Sequence, residues 1–352
     1  MILILRRDAT EEQVQAIVAG VTAWGYRTSV SRGPDRTVVG LIGDEQDMAR
    51  RAFDLFPGVE SVARVDKPYK LASREYHPHD TVIELPACGP AGRPVRIGGS
   101  EGIAVVAGPC SVETRAIMAE TARAIRAAGA VLLRAGAFKP RTSPYSFQGL
   151  GVEGLRILIE VREQTGLPVI TEVMDTRDVE MIGEVSDILQ IGARNTQNFA
   201  LLKAVGRLTK PVLLKRGIAG TIEELLMSAE YIMSQGNPNV ILCERGIRTY
   251  ERATRNTLDL NAVPVLKALT HLPVAVDPSH GTGVARLVPI MAQAAVAAGA
   301  DLLLVEVHPD PRTATSDGAQ TLDFATFGAM MERVKRVAAA VDRRVQSWEE
   351  AG

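Results

Sequence analysis

The chain has 352 residues, 46% of them hydrophobic, and 40 basic against 41 acidic side chains leave a net charge of −1. That length holds one large domain and a small one, and the charge balance argues against nucleic acid or an anionic membrane as the main partner, because both need a basic surplus. No apolar run approaches the ~20 residues of a membrane span, the opening Met1-Ile-Leu-Ile-Leu5 is too short for a leader, and three scattered cysteines (Cys88, Cys110, Cys243) make no disulfide framework, so a cytoplasmic protein is expected.

Residues 1–66 read as a separate unit. A short apolar strand at 2–5 precedes Val14, Ile17, Val18, Val21 and Trp24 at helical spacing. Strands at 27–31 and 37–42 flank Gly33-Pro34-Asp35, a hairpin-type turn. A second helix at 46–55 and a closing strand at 59–65 complete a βαββαβ order, which predicts a ferredoxin-like domain. A linker with charged residues, Pro and His runs from 66 to 80, and 81–85 with 94–97 read as a hairpin, so 67–101 form a connection.

From residue 102 to 340 one unit repeats: an apolar run, a polar or Gly-rich turn, then an amphipathic helix. The expected strands are 103–107, 131–134, 169–173, 188–191, 212–215, 240–243, 274–276 and 302–305. Near-continuous apolar strands mean burial on both faces, and eight such units predict an α/β fold, a (β/α)8 TIM barrel, with 341–352 as a tail. An open doubly wound sheet is the alternative, but no G-x-G-x-x-G turn follows the first strand.

In a barrel, working groups sit at or just after the C-terminal strand ends. Cys110, Arg134, Lys139, Glu172, Arg194, Lys215, Arg245, Asp277, His280 and Glu306 all fall there, with Asp317 in the last loop. Cys110, His280, Glu306 and Asp317 offer sulfur, nitrogen and oxygen donors that suit a borderline divalent ion such as Mn, Fe, Co or Zn. Singly each has a plain reading, Cys110 as a small buried apolar residue and the carboxylates as solvated groups; together on one rim they point to a metal. His308 is a further ligand candidate, whereas His77, His79 and His271 are assigned to linker and surface.

Arg134, Lys139, Arg141, Arg194, Lys215 and Arg245 make an anion funnel around the same rim. The run Lys139-Pro140-Arg141-Thr142-Ser143 adds hydroxyls suited to phosphate or carboxylate oxygens. So many cations imply two anionic substrates. A buried Lys215 also permits Schiff-base aldolase chemistry, a rival that an adjacent metal would make redundant.

The segments Ala107-Gly-Pro-Cys-Ser-Val-Glu113, Leu133-Arg-Ala-Gly-Ala-Phe-Lys-Pro-Arg-Thr-Ser143, Gln190-Ile-Gly-Ala-Arg-Asn-Thr-Gln-Asn198, Leu214-Lys-Arg-Gly217, Leu242-Cys-Glu-Arg-Gly-Ile-Arg-Thr249, Asp277-Pro-Ser-His-Gly-Thr-Gly283 and Glu306-Val-His308 resemble the 3-deoxy-D-arabino-heptulosonate 7-phosphate (DAHP) synthases of type I with an N-terminal ferredoxin-like domain. The resemblance implies condensation of phosphoenolpyruvate (PEP) with erythrose 4-phosphate at the entry to aromatic biosynthesis. It implies metal ligation by Cys110, His280, Glu306 and Asp317, with Mn the expected ion. PEP would lie on Arg134, Lys139, Glu172, Arg194, Lys215 and Arg245, and erythrose 4-phosphate on Arg141, Thr142, Ser143 and Asp277, with Lys139 as general acid. A homotetramer and feedback by tyrosine or phenylalanine through residues 1–66 are also implied. The nearest rival is 3-deoxy-D-manno-octulosonate 8-phosphate synthase, which uses arabinose 5-phosphate and typically has Ala-Asn where Pro140 alone stands here. A catalytically dead barrel sensing aromatic metabolites is the rival of another class.

Overall fold

The computed structural model describes residues 1–33, 37–43, 45–48, 51–63, 67–89, 91–99, 102–139, 143 and 145–348. The chain divides into two compact units, Met1–Asp80 with Ala268–His271, and Thr81–Lys267 with Leu272–Gly352.

The first unit runs β1 (Ile2–Leu5), α1 (Glu11–Ala23), β2 (Arg27–Arg32), β3 (Thr37–Ile42), α2 (Glu45–Met48) and β4 (Val59–Ala63). Its antiparallel sheet has the order β2-β3-β1-β4. Helix α1 starts where the Thr10 hydroxyl and the Gln13 side chain cap each other's backbone N–H groups. Its Val14, Ile17 and Val21 then pack on Leu3, Leu5, Val39 and Leu41, each burial contributing roughly 1.5–3 kcal/mol. Trp24, expected on that buried face, instead ends the helix at the surface beside Phe53 and Phe56. The helix expected over 46–55 is α2 plus a separate 3-10 turn, Phe53–Leu55.

The second unit opens with a hairpin, β5 (Ile83–Leu85) and β6 (Val95–Ile97), paired antiparallel. Eight parallel strands follow: β7 (Ala104–Gly108), β8 (Leu132–Arg134), β9 (Val169–Glu172), β10 (Ile188–Ile191), β11 (Val212–Lys215), β12 (Val240–Glu244), β13 (Val274–Val276) and β14 (Leu302–Glu306). They close into a barrel through β14 on β7, and every residue in them is buried. Around them lie α3 (Arg115–Ala127), α4 (Val152–Thr165), α5 (Val179–Val185), α6 (Phe199–Val205), α7 (Ile222–Met233), α8 (Ala262–Leu269), α9 (Pro278–Thr282), α10 (Val288–Ala297) and α11 (Phe324–Ala340). Side-chain caps start several of them: Thr114 on α3, Asn198 on α6, Thr221 on α7 and Asp323 on α11.

Two segments expected to be peripheral are part of this core. Ile83, Leu85, Val95 and Ile97 of the hairpin share one buried cluster with barrel residues such as Ala104, Ile170 and Leu213. In the expected tail, Val345 bridges to Ile103, and the Trp348 indole N–H donates to the Ala130 carbonyl at 2.8 Å. His271, assigned to the surface, is buried instead, with Nε2 2.8 Å from the Leu71 carbonyl and its ring 4.5 Å from that of His77.

Candidate active site

The C-terminal strand ends converge on a cleft of about 320 Å³ lined by Arg134, Lys139, Ser143, Glu172, Arg194, Lys215, Arg245, Arg255, His280 and Asp317. Two glycines lie close against its lining residues. A Cβ on Gly108, where φ is +145°, would meet the Arg134 carbonyl oxygen at 2.2 Å, and one on Gly192 would meet Glu172 Oε1 at 2.0 Å.

Cys110 follows β7, His280 sits in α9, Glu306 ends β14, and Asp317 stands in the loop after it. The ligand atoms of Cys110, Glu306 and Asp317 all lie within 4.8 Å of one another. His280 Nε2 is 3.5 Å from Glu306 Oε1 and 4.0 Å from Asp317 Oδ2, so the fourth expected donor faces the same point. Asp277 fixes that orientation: as the N-cap of α9 it accepts the His280 backbone N–H at 2.9 Å, and its Oδ2 lies 2.7 Å from His280 Nδ1. With the proton held on Nδ1, the Nε2 lone pair points to the donor set. Asp317 adopts φ 55°, a left-handed conformation that costs of order 1–3 kcal/mol in a non-glycine residue. Burial raises the Cys110 thiol to about 11, and Glu306 pushes the same way. Burial also works against ionisation of Asp317, yet His280, the Cys110 hydrogen bond and Arg255 hold it down at about 2. One soft donor, one imidazole and two carboxylates, arranged around a point with tautomer and rotamer fixed, fit a borderline divalent ion. His308 does not join them; it is buried beyond the strand end, with Nε2 3.4 Å from Glu113 and Nδ1 against the Asp310 backbone.

The six cations of the cleft fall into two groups of three. Arg134 Nη1 donates to Glu306 Oε1 at 2.8 Å and to the Pro109 carbonyl, Lys215 Nζ pairs with Asp277 Oδ2 at 2.6 Å, and Arg255 Nη1 reaches Asp317 Oδ1 at 3.2 Å. Despite burial, Glu306 holds the Arg134 guanidinium above its usual value. For Asp277, burial is outweighed by His280 and Lys215, which hold the carboxyl well below its ordinary range. Lys139, Arg194 and Arg245 have no carboxylate partner among the described residues: Lys139 Nζ donates to the Cys110 carbonyl at 2.9 Å and Arg245 Nη1 to the Gly246 carbonyl at 3.2 Å. Burial accordingly lowers the Arg245 guanidinium. Lys139 and Arg245 are buried and Arg194 is exposed; the two uncompensated buried cations are costly without an anion from outside.

Asp277, expected to touch the sugar phosphate, is completely buried, with both oxygens engaged beneath the cleft. Arg141, Thr142 and Pro140 lie outside the described residues. Glu172 is on the wall, 3.4 Å from Gln190 Nε2. Sequence reasoning overlooked Arg255, Gln320 and Arg216. Arg216, next in the chain to Lys215 at the end of β11, joins Glu244 (2.8 Å) and Asp259 (2.9 Å) through Nη1, and Glu244 is next to Arg245. Its place directly after Lys215 at a strand end was the available signal.

A closed parallel barrel with a mixed-donor cluster and an anion-ready mouth defines a barrel enzyme for phosphorylated or carboxylated substrates. Residues 80–343 match the DAHP synthetase I family, and residues 1–67 match the DAHP synthase ferredoxin-like domain. The chain belongs to the DAHP synthetase I family. It is 49% identical over 345 residues to a phospho-2-dehydro-3-deoxyheptonate aldolase of Thermotoga maritima, covering 98% of this chain and 100% of that one. A Caulobacter vibrioides 2-dehydro-3-deoxyphosphooctonate aldolase is 33% identical over 277 residues, 73% of this chain and 94% of the other. A crystal structure of the Thermotoga maritima DAHP synthase superimposes with a TM-score of 0.76 at 48% identity, covering 98% and 99% of the two chains.

Proposed function

We propose that the chain condenses PEP with erythrose 4-phosphate and water to give DAHP and phosphate. The observation that carries this reading is the juxtaposition of three uncompensated cations, Lys139, Arg194 and Arg245, with the Cys110–His280–Glu306–Asp317 donor set. The near full-length likeness to the Thermotoga maritima aldolase supports the four-carbon sugar, because the octulosonate relatives are more distant and cover less of the chain.

In this reading Arg194, Lys215 and Arg245, with Arg134 and Lys139, hold the phosphate and carboxylate of PEP. Glu172 stands on the same wall to orient water. Ser143, with Arg141 and Thr142, takes the phosphate of erythrose 4-phosphate, while Asp277 acts from below by holding His280 and Lys215. A divalent ion, Mn by expectation, held by Cys110, His280, Glu306 and Asp317 would supply carbonyl polarisation. Carbon 3 of PEP bonds to the aldehyde carbon, and Lys139 Nζ gives a proton to the resulting alkoxide. Water adds at carbon 2, and the C–O bond to phosphate breaks, the leaving group being stabilised by the surrounding cations. Residues 1–66 would carry feedback by tyrosine or phenylalanine, in a cytoplasmic homotetramer; removing them should leave turnover and abolish inhibition. Purified protein given Mn(II) and both substrates should release one phosphate per DAHP formed. No release would remove the proposal.

A further inference from the structure

The two acidic residues of the donor set are tied together by a side chain with no assigned role. Gln320 is buried in the 3-10 turn that follows Asp317. Its Nε2 donates to Glu306 Oε2 at 2.6 Å, and its Oε1 accepts from Arg255 Nη1 at 2.8 Å. The same Arg255 nitrogen reaches Asp317 Oδ1 at 3.2 Å. The amide can sit only this way round, since the flipped form would set an acceptor against the carboxylate of Glu306 and donors against a guanidinium.

The chain Glu306–Gln320–Arg255–Asp317 therefore occupies one oxygen of each carboxylate, Glu306 Oε2 and Asp317 Oδ1. The other two oxygens face the donor set: Glu306 Oε1, which accepts from Arg134 Nη1 at 2.8 Å and lies 3.5 Å from His280 Nε2, and Asp317 Oδ2, 3.2 Å from Cys110 Sγ. We infer that Gln320 and Arg255 are positioning residues that make Glu306 and Asp317 one-oxygen ligands. They thereby bias the site toward compact first-row transition ions and against Ca(II), which favours bidentate carboxylates and many oxygen donors. This inference rests on the metal reading of the donor set.

The test is a titration of metal-free full-length protein with Co(II), alone and in competition with Ca(II), followed by the thiolate-to-cobalt charge-transfer band that Cys110 would give. Gln320→Met keeps the size of the side chain and removes both hydrogen bonds. It should weaken Co(II) roughly 10–100-fold and lower the Co(II)/Ca(II) preference at least about tenfold, with unchanged far-ultraviolet circular dichroism. Arg255→Gln, on the half-exposed side of the bridge, should move both quantities the same way, and the double variant should lose no more than the larger single loss, since one bridge is being cut. Wild-type affinity and ion preference in Gln320→Met would overturn the inference, as would equal losses for both ions. If Gln320→Met does not fold, Arg255→Gln decides alone by the same criteria. A wild-type protein with no thiolate–cobalt band overturns the metal reading, and this inference with it, whereas a normal wild-type band with unaltered variants overturns the inference only.

Discussion

Replacing Asp277 by Asn tests how the floor of the cleft is held. The carboxylate is fully buried, accepts from Lys215 Nζ at 2.6 Å, faces His280 Nδ1 at 2.7 Å and caps α9 through the His280 N–H. Asn keeps the shape and the cap but removes the charge, leaving the buried Lys215 ammonium without its counter-ion. Breaking a buried pair in this way costs about 3–5 kcal/mol. With the amide oxygen kept on the His280 N–H, the amide nitrogen meets Lys215 Nζ donor to donor, so a decrease of about 3–5 kcal/mol in urea unfolding of the metal-free protein is expected. Turnover should fall at least about 100-fold, because Asn no longer fixes the imidazole and Lys215 loses its place. Adding Lys215→Met removes the stranded cation and should restore about 2 kcal/mol to the Asp277→Asn protein, although activity stays lost. A double variant no more stable than Asp277→Asn would refute the ion-pair argument.

Other expectations follow from the same geometry. Arg245→Met removes a buried guanidinium that has no carboxylate partner among the described residues, so the ligand-free protein should gain roughly 1–3 kcal/mol in thermal or urea unfolding while KM for PEP rises; lower stability would contradict the assignment. Cys110→Ala should abolish the thiolate–cobalt band and cut activity more than about 100-fold, and full activity would remove Cys110 from the ligand set. His271 is neutral in the fold because burial lowers it from 6.5 to about 4. The unfolded chain thus takes up a proton that the folded chain refuses, and stability should fall as pH drops from 6.5 to 4, by up to about 3 kcal/mol. His271→Gln should flatten that slope in unfolding curves taken across this range; an unchanged slope would place the acid sensitivity elsewhere.

The barrel was legible because each strand is a mostly apolar run with a polar residue at its end or in the turn that follows, and eight such runs have few other ways to be buried. The rim followed from the same pattern, since any charged residue at a strand end faces the mouth. What the sequence hid was which charges meet. Arg134 on β8 pairs with Glu306 on β14, and Lys215 on β11 pairs with Asp277 just after β13. In both cases the partners come from alternate strands, whose side chains share a layer inside a barrel, and the spacing along the chain carries no trace of it. Two of the six cations counted toward a large external charge, Arg134 and Lys215, are thus spent on internal carboxylates. His271 misled for a related reason: a lone polar residue between a helix and a strand reads as exposed until its carbonyl partner, distant in sequence, is known. Gln320 and Arg255 stayed silent because their role lies in a hydrogen-bonded chain between two loops and not in any local motif.

The most direct measurement of the central claim is phosphate release from PEP with erythrose 4-phosphate or arabinose 5-phosphate as the second substrate, each with Mn(II) and with EDTA. Release should be rapid with the four-carbon sugar and much slower with the five-carbon sugar, and EDTA should abolish both until Mn(II) is restored. Turnover that survives EDTA, or that is faster with arabinose 5-phosphate, would contradict that claim.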